Sequence, residues 1–415
     1  HSGTGVSGVV VRAGPVLAMD TWILPALIAL PLIGAAGCIL CRRKPSPPRF
    51  TEKPKVAPMP KGFRFLDEAR RPGEAASAEP PEEPDVLELP GDGPEALGVA
   101  CTSGNPGLAY SSADFARCLQ EELAESYGGR KATIYVIGLA NFSTRREYLG
   151  APLGMQQEAR CVKRALARVA ARHRESGLVL LAHSLSSSLL LQYLLEALEE
   201  GAGCLAGVRV PRVIWLMPFL EFNCESREQI IMRFLLRQSL AQPFIRWLAR
   251  FYTGLPVDSL EWLMRNVVGA ATDEDVEVLL ATSGTLKHIL PGQLFLGSDA
   301  FRQLEVGSPT NGFKLMADLL RQERRPELRA FYCEGHDEYA PCGHMERLAA
   351  MFADSVGRGG PSAEVGLLGI VHNFVQFAHA CRKAAKTLAP VIAEAWRQAP
   401  CCAPLPSRSS GMAKD

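Results

Sequence analysis

Gly177–Ala182 (GLVLLA) is six residues with no polar side chain, and it runs directly through His183-Ser184-Leu185 into a helical stretch, Ser186–Glu199. An uninterrupted apolar run of this length suits a central parallel strand, because helices cover such a strand on both faces. A chain containing one must also supply flanking strands and helices in alternation, and this one does. Ala96–Thr102 (ALGVACT) reads as a strand that ends in a glycine-rich turn, Ser103–Gly107. A helix is expected over Ser111–Tyr127, a strand over Ala132–Gly138, and an amphipathic helix over Met155–His173 with Ala159, Val162, Leu166 and Val169 on one face. Arg212–Pro218, Arg329–Cys333 and Glu364–Ile370 read as later strands. The alternation predicts an α/β fold, a mostly parallel sheet between helix layers.

Chemistry concentrates at Ala182-His183-Ser184-Leu185-Ser186. A serine with a small residue two positions away on each side, between a buried strand and a helix, is a relaxed form of the G-x-S-x-G nucleophile elbow. The turn is tight, so both flanks must be small; Ala182 and Ser186 stand where glycine is usual. The helix that follows directs its N-terminal amides toward the serine, and the Leu185 N–H is an expected oxyanion donor. A second donor is expected from the turn after the first strand: Asn105, Gly107 or Leu108, since Pro106 has no N–H. The competing reading is a serine that only caps its helix.

Such a site needs an acid after a late strand and a histidine after the last one. Asp337 follows Arg329–Cys333, and His372 follows Glu364–Ile370. His372 is placed to take the Ser184 proton, and Asp337 to fix the imidazole tautomer. Glu334 and Glu338 are rival acids. Among the other histidines, His183 precedes the nucleophile and should point away from it, His336 adjoins Asp337, and His344 and His379 fall on expected helices.

SGNPG at Ser103–Gly107, LVLLAHSLSS at Leu178–Ser187, Ile214–Pro218, FYCEGHDEYAP at Phe331–Pro341 and VHNFVQF at Val371–Phe377 together resemble the lipid droplet-associated hydrolases, a branch of the α/β-hydrolase superfamily. The resemblance implies an α/β-hydrolase domain over 96–398 with a helical cap at about 222–325. It also implies Ser184, Asp337 and His372 as the triad, and a sterol ester or acylglycerol as substrate. This chain departs from the family at Ala182 and Ser186, and at Gly138-Leu139-Ala140-Asn141, where the family tends to carry a histidine.

The remainder of the chain is read by composition. Trp22–Cys41 carries no charge and is long enough to cross a bilayer core, and Arg42, Arg43 and Lys44 follow it. Residues 1–44 are therefore expected to form a tail and membrane anchor, with a cleaved signal peptide or a re-entrant insertion as alternatives. Twelve of the 30 prolines lie between Pro45 and Pro94, so 45–95 is expected to be a disordered linker. Its first half is basic, with eight Lys or Arg against one Glu over Arg42–Arg64, and its second half is acidic. Residues 399–415 are expected to be a disordered tail; Cys401 and Cys402 there are candidates for acylation. Within the cap, Gln229–Pro256 has four arginines, no acid after Glu228, and Phe234, Phe244, Trp247 and Phe251. It reads either as a packed cap helix pair broken at Pro243 or as an interfacial helix.

A net charge of +1 argues against nucleic acid as a partner. The 12 cysteines are scattered, with a single CxxC at Cys38–Cys41, so no metal site is expected. No nucleotide-binding loop appears, and no cofactor is expected. The resulting expectation is a serine hydrolase tethered to the endoplasmic reticulum membrane or a lipid droplet, its catalytic domain facing the cytosol. The alternative is a weakly catalytic or non-catalytic surface protein that keeps the fold for lipid binding or partner recruitment.

Overall fold

The computed structural model describes residues 59–66, 83–93, 96–105, 107–143, 151–199, 207–237, 254–263, 286–337 and 339–397, with 243, 247, 251 and 280 as single positions. The expected anchor and C-terminal tail lie outside these residues. So do Glu338 and most of the stretch around Pro243. Among the described residues, no helix is long and apolar enough to cross a membrane.

Eight strands form one sheet: β1 (Arg64–Phe65), β2 (Val86–Leu89), β3 (Gly98–Thr102), β4 (Thr133–Ile137), β5 (Leu178–His183), β6 (Arg212–Leu216), β7 (Glu327–Cys333) and β8 (Ala363–Leu368). Their order is β1-β2-β4-β3-β5-β6-β7-β8, with β3 through β8 parallel and the first two strands antiparallel to their neighbours. Every residue of β3, β4 and β6 is buried, as is all of β5 up to Ala182, which is why these strands read as apolar runs and not as alternations.

The sequence reading assigned 45–95 to a disordered linker, and the structure corrects this at two points. Arg64–Phe65 and Val86–Leu89 are strands of the sheet. The acid count around β2 concealed it. Glu88 is buried, yet its carboxylate takes Arg64 Nε and Nη2 and Arg172 Nη1, all at 3.1 Å, so the charge that suggested solvent is paired inside the fold.

The helices follow from the crossover rule. The chain runs β3 to β4 in one direction across the sheet through α1 (Ala113–Ser126), and β4 to β5 in the other through α2 (Met155–Arg172). Right-handed crossovers therefore put α1 and α2 on opposite faces. α3 (Ser186–Glu199) packs beside α2, whereas α9 (Ala378–Arg397) packs along α1. The reversal of direction beside β3 opens a crevice at the strand C-terminal ends, the usual ligand position in an open α/β sheet. Between β6 and β7 lie α4 (Arg227–Arg237), α5 (Val257–Leu263), α6 (Leu286–Gln303) and α7 (Gly312–Leu320); α8 (Cys342–Gly357) joins β7 to β8. α6 rests on the turn after β4 and on α2, and α7 on α3. The segment expected as cap thus contributes α7 to the body of the domain.

Candidate active site

Ser184 follows β5 at once and has φ +53°, a left-handed conformation that side-chain-bearing residues seldom adopt. The surroundings hold it there. Ser184 N–H donates to Leu216 O at 2.9 Å, and its carbonyl accepts Ser187 N–H at 3.0 Å and Phe219 N–H at 3.2 Å. Ala182 and Ser186, the two non-glycine flanks, are both fully buried. The Ser186 hydroxyl donates to Ser103 O, in the turn after β3. Gly104 in that turn lies against the elbow so closely that a Cβ would sit 2.9 Å from His183 Nδ1 and 3.1 Å from Ser184 Cβ.

His372 comes from the turn after β8, its Nε2 2.8 Å from Ser184 Oγ and its Nδ1 2.8 Å from Asp337 Oδ2. Asp337 and His372 are buried. Asp337 Oδ1 accepts the N–H groups of Tyr339 at 2.9 Å and Ala340 at 3.0 Å, and Oδ2 also accepts the Cys333 thiol at 3.2 Å. Burial opposes ionisation of Asp337, but the His372 charge and these hydrogen bonds together hold its carboxyl well below the usual carboxylate range. Asp337 is therefore a fixed anion. The rival Glu334 is exposed.

The remaining expected residues divide. Leu185 follows Ser184 and is buried. Asn105 sits in the β3 turn with its side-chain Nδ2 donating to Gln293 O of α6 at 3.3 Å. Gly107 is turned toward the β4 loop: its carbonyl accepts Leu139 N–H at 2.7 Å, and a Cβ there would lie 2.3 Å from Leu139 Cγ. The structure thus brings Ser184, His372 and Asp337 together, and Gly104 is the residue of the β3 turn at which an added Cβ would meet Ser184.

Sequence reasoning gave no role to His183 or Cys333. The His183 ring packs on the rings of His372 and Phe374, both at 5.3 Å, and its Nε2–H donates to His372 O at 2.9 Å. Burial, with the neighbouring His372, pushes its pKa down to about 3, so it is a neutral strut behind the His372 ring. The Tyr339 ring stands 5.5 Å from His372 on another side and 5.9 Å from Phe219. His344 sits 3.9 Å from Glu221, and His336 is exposed. Cys333, Asp337 and His372 offer three potential metal donor atoms within 4.8 Å of one another, but each is directed into the hydrogen-bond chain that ends at Ser184.

Ser184, His372 and Asp337, at the ends of β5, β8 and β7 respectively, stand where a nucleophile, a base in contact with it and an anion orienting that base would stand. Among solved structures, that of DBJA shares 14% identity with this chain at a TM-score of 0.51, over 75% of this chain and 94% of that one. A thioesterase domain from the curacin biosynthetic pathway shares 14% at 0.46, over 80% and 98%. A carboxylesterase structure from the thaumarchaeon Nitrososphaera gargenis shares 11% at 0.46, over 80% and 99%. At 14% identity the likeness to DBJA speaks to the fold alone. No curated protein matches the sequence. The family profile described as lipid-droplet associated hydrolase matches residues 95–375, which takes in the β3 turn, the elbow, Asp337 and His372. With that profile covering more than half of its length, the chain belongs to the lipid-droplet associated hydrolase family.

Proposed function

We propose that the chain is a serine hydrolase that cleaves a lipid ester, a sterol ester or an acylglycerol, through an acyl-serine intermediate. The observation that carries this reading is the continuous relay Ser184 Oγ–His372–Asp337, with both links at 2.8 Å. Ser184 Oγ attacks the ester carbonyl while its proton passes to His372 Nε2, and Asp337 stabilises the imidazolium at Nδ1. The tetrahedral oxyanion is held by the Leu185 N–H and a donor of the β3 turn, Asn105 or Gly107. Collapse breaks the ester C–O bond, and His372 returns the proton to the departing alcohol. Water then attacks the acyl-serine with its proton going to His372, and the acid leaves as Ser184 regains its hydrogen.

A non-catalytic role would follow from a misplaced elbow. The φ of Ser184 and the tie from Ser186 to Ser103 favour catalysis instead. The family supports a lipid substrate. The uncharged Trp22–Cys41 run and the basic stretch after it support a tether at the endoplasmic reticulum membrane or a lipid droplet, with the hydrolase domain on the cytosolic side. A fluorophosphonate probe tests the reaction: wild type is expected to be labelled, and Ser184→Ala is expected to lose the label while melting at an unchanged temperature. Folded wild-type protein that takes no label would refute the proposal.

A further inference from the structure

We infer that Cys333 is a positioning residue for the Asp337–His372 pair, its thiol holding part of the charge of Asp337 Oδ2 away from the imidazole. The inference rests on the serine-hydrolase reading above. Cys333 is the last residue of β7 and is buried, and its Sγ lies 3.2 Å from the same oxygen that receives His372 Nδ1–H at 2.8 Å. The other carboxylate oxygen is occupied by two backbone amides, so the group cannot rotate to separate the two donors. Thiol and imidazole therefore draw on one oxygen. An anion shared in this way pulls less strongly on the proton of His372 than one facing the ring alone. The thiol also fixes the in-plane position of Oδ2, and with it the ring that must meet Ser184.

The groups facing this pair come from several elements, and none provides the same contact. His183, at the end of β5, is neutral and touches the His372 backbone and ring face. Tyr332 of β7 is buried, and its phenol is pushed upward by burial and then by the Asp337 charge, so it stays protonated. His344 of α8 has its pKa lowered by burial and sits beside Glu221 and Arg347. Tyr339 supplies its backbone N–H to Oδ1 and its ring to His372.

The test is the pH dependence of fluorophosphonate labelling rates in wild type, Cys333→Ala and Cys333→Ser. Without a donor, Oδ2 turns its full charge toward the ring, the imidazolium is favoured, and the free base is available only at higher pH. The acid limb of Cys333→Ala is expected to move up by about half a pH unit. Cys333→Ser, which keeps an O–H donor, is expected to stay near wild type. The His372 Nδ1 proton resonance is expected to shift in the alanine variant and to return in the serine variant. Should Cys333→Ala fail to fold, Cys333→Val fills the volume without a donor and carries the same expectation. Labelling with an unchanged acid limb and an unchanged proton resonance in the donor-free variant overturns the inference. Absence of labelling in wild type overturns the underlying reaction instead.

Discussion

Ser186 occupies a position where the general elbow pattern has glycine, and its hydroxyl makes that departure structural: it donates to Ser103 O, so that the first turn of α3 is tied to the β3 turn. Both residues are buried, so removing the donor leaves a carbonyl without its partner and without water. Ser186→Ala is expected to lose about 1–2 kcal/mol of stability in urea unfolding. Ser186→Gly should lose roughly 0.5–1 kcal/mol more, because glycine also loosens the start of the helix, even though it restores the usual motif. A glycine variant as stable as wild type would mean that the hydroxyl has no such role. At this scale the meeting of Ser184, Asp337 and His372 was legible because each follows a strand, and strand order along the chain is readable. Ser186, His183, Gly104 and Cys333 act through partners supplied by other parts of the fold, Cys333 through an aspartate on the next turn, and spacing does not encode such contacts.

Among the elements, α2 contains a buried carboxyl that helical spacing does not single out. Glu158 is fully buried in its first turn and accepts the backbone N–H groups of Ala140 and Asn141, both at 2.8 Å, so the helix caps the turn after β4 from below. Burial pushes the carboxyl up to about 7, and the two amides offset only part of that rise. The sign follows directly. Between about 4.5 and 7 the folded chain holds a proton that the unfolded chain has released, so stability falls as pH rises through this window. The effect is fully absent below it. Glu158→Gln removes the titration, and its stability relative to wild type is expected to improve by about 3 kcal/mol between pH 4.5 and 7.5. Denaturant melts of the pair at several pH values check this, and a constant difference would refute it. The turn held by Glu158 is also where Asn141 packs beneath Gly292 of α6, while Asn105 of the β3 turn reaches Gln293 O, so α6 sits on the turns after both β3 and β4. Long, buried elements such as β5 and α2 were readable because their patterns repeat over many residues. β1 and β2 were missed because they are short and surrounded by proline and acid, and because Glu88 looks solvent-seeking until Arg64 and Arg172 are brought to it by the fold.

For the whole molecule, the question is what would bring a domain of the lipid-droplet associated hydrolase family to lipid. The exposed large apolar side chains of the described residues include Ile230, Phe234, Trp247, Phe251, Trp262 and Phe295, all in the segment between β6 and β7. Trp247 and Phe251 stack at 5.9 Å with an interplanar angle of 19°. The arginines of this segment are not all available to headgroups: Arg233 pairs with Glu305 and lies 4.8 Å over the Phe222 ring. The aromatic residues are thus the better candidates for contact with lipid, and the basic stretch before Arg64 the better candidate for anionic headgroups. These two contributions respond differently to salt, since screening weakens the second and leaves burial of apolar surface intact. A chain lacking residues 1–44 is therefore expected to float with phosphatidylcholine vesicles and to bind more tightly when phosphatidylserine is included, with high salt removing only that increment. Phe234→Ser with Trp262→Ser should lower the salt-resistant binding about a hundredfold or more, at roughly 1.5–3 kcal/mol for each large side chain withdrawn from water. If the truncated chain stays with neither vesicle, recruitment rests on residues 1–44 alone and the exposed aromatics of the cap have another use.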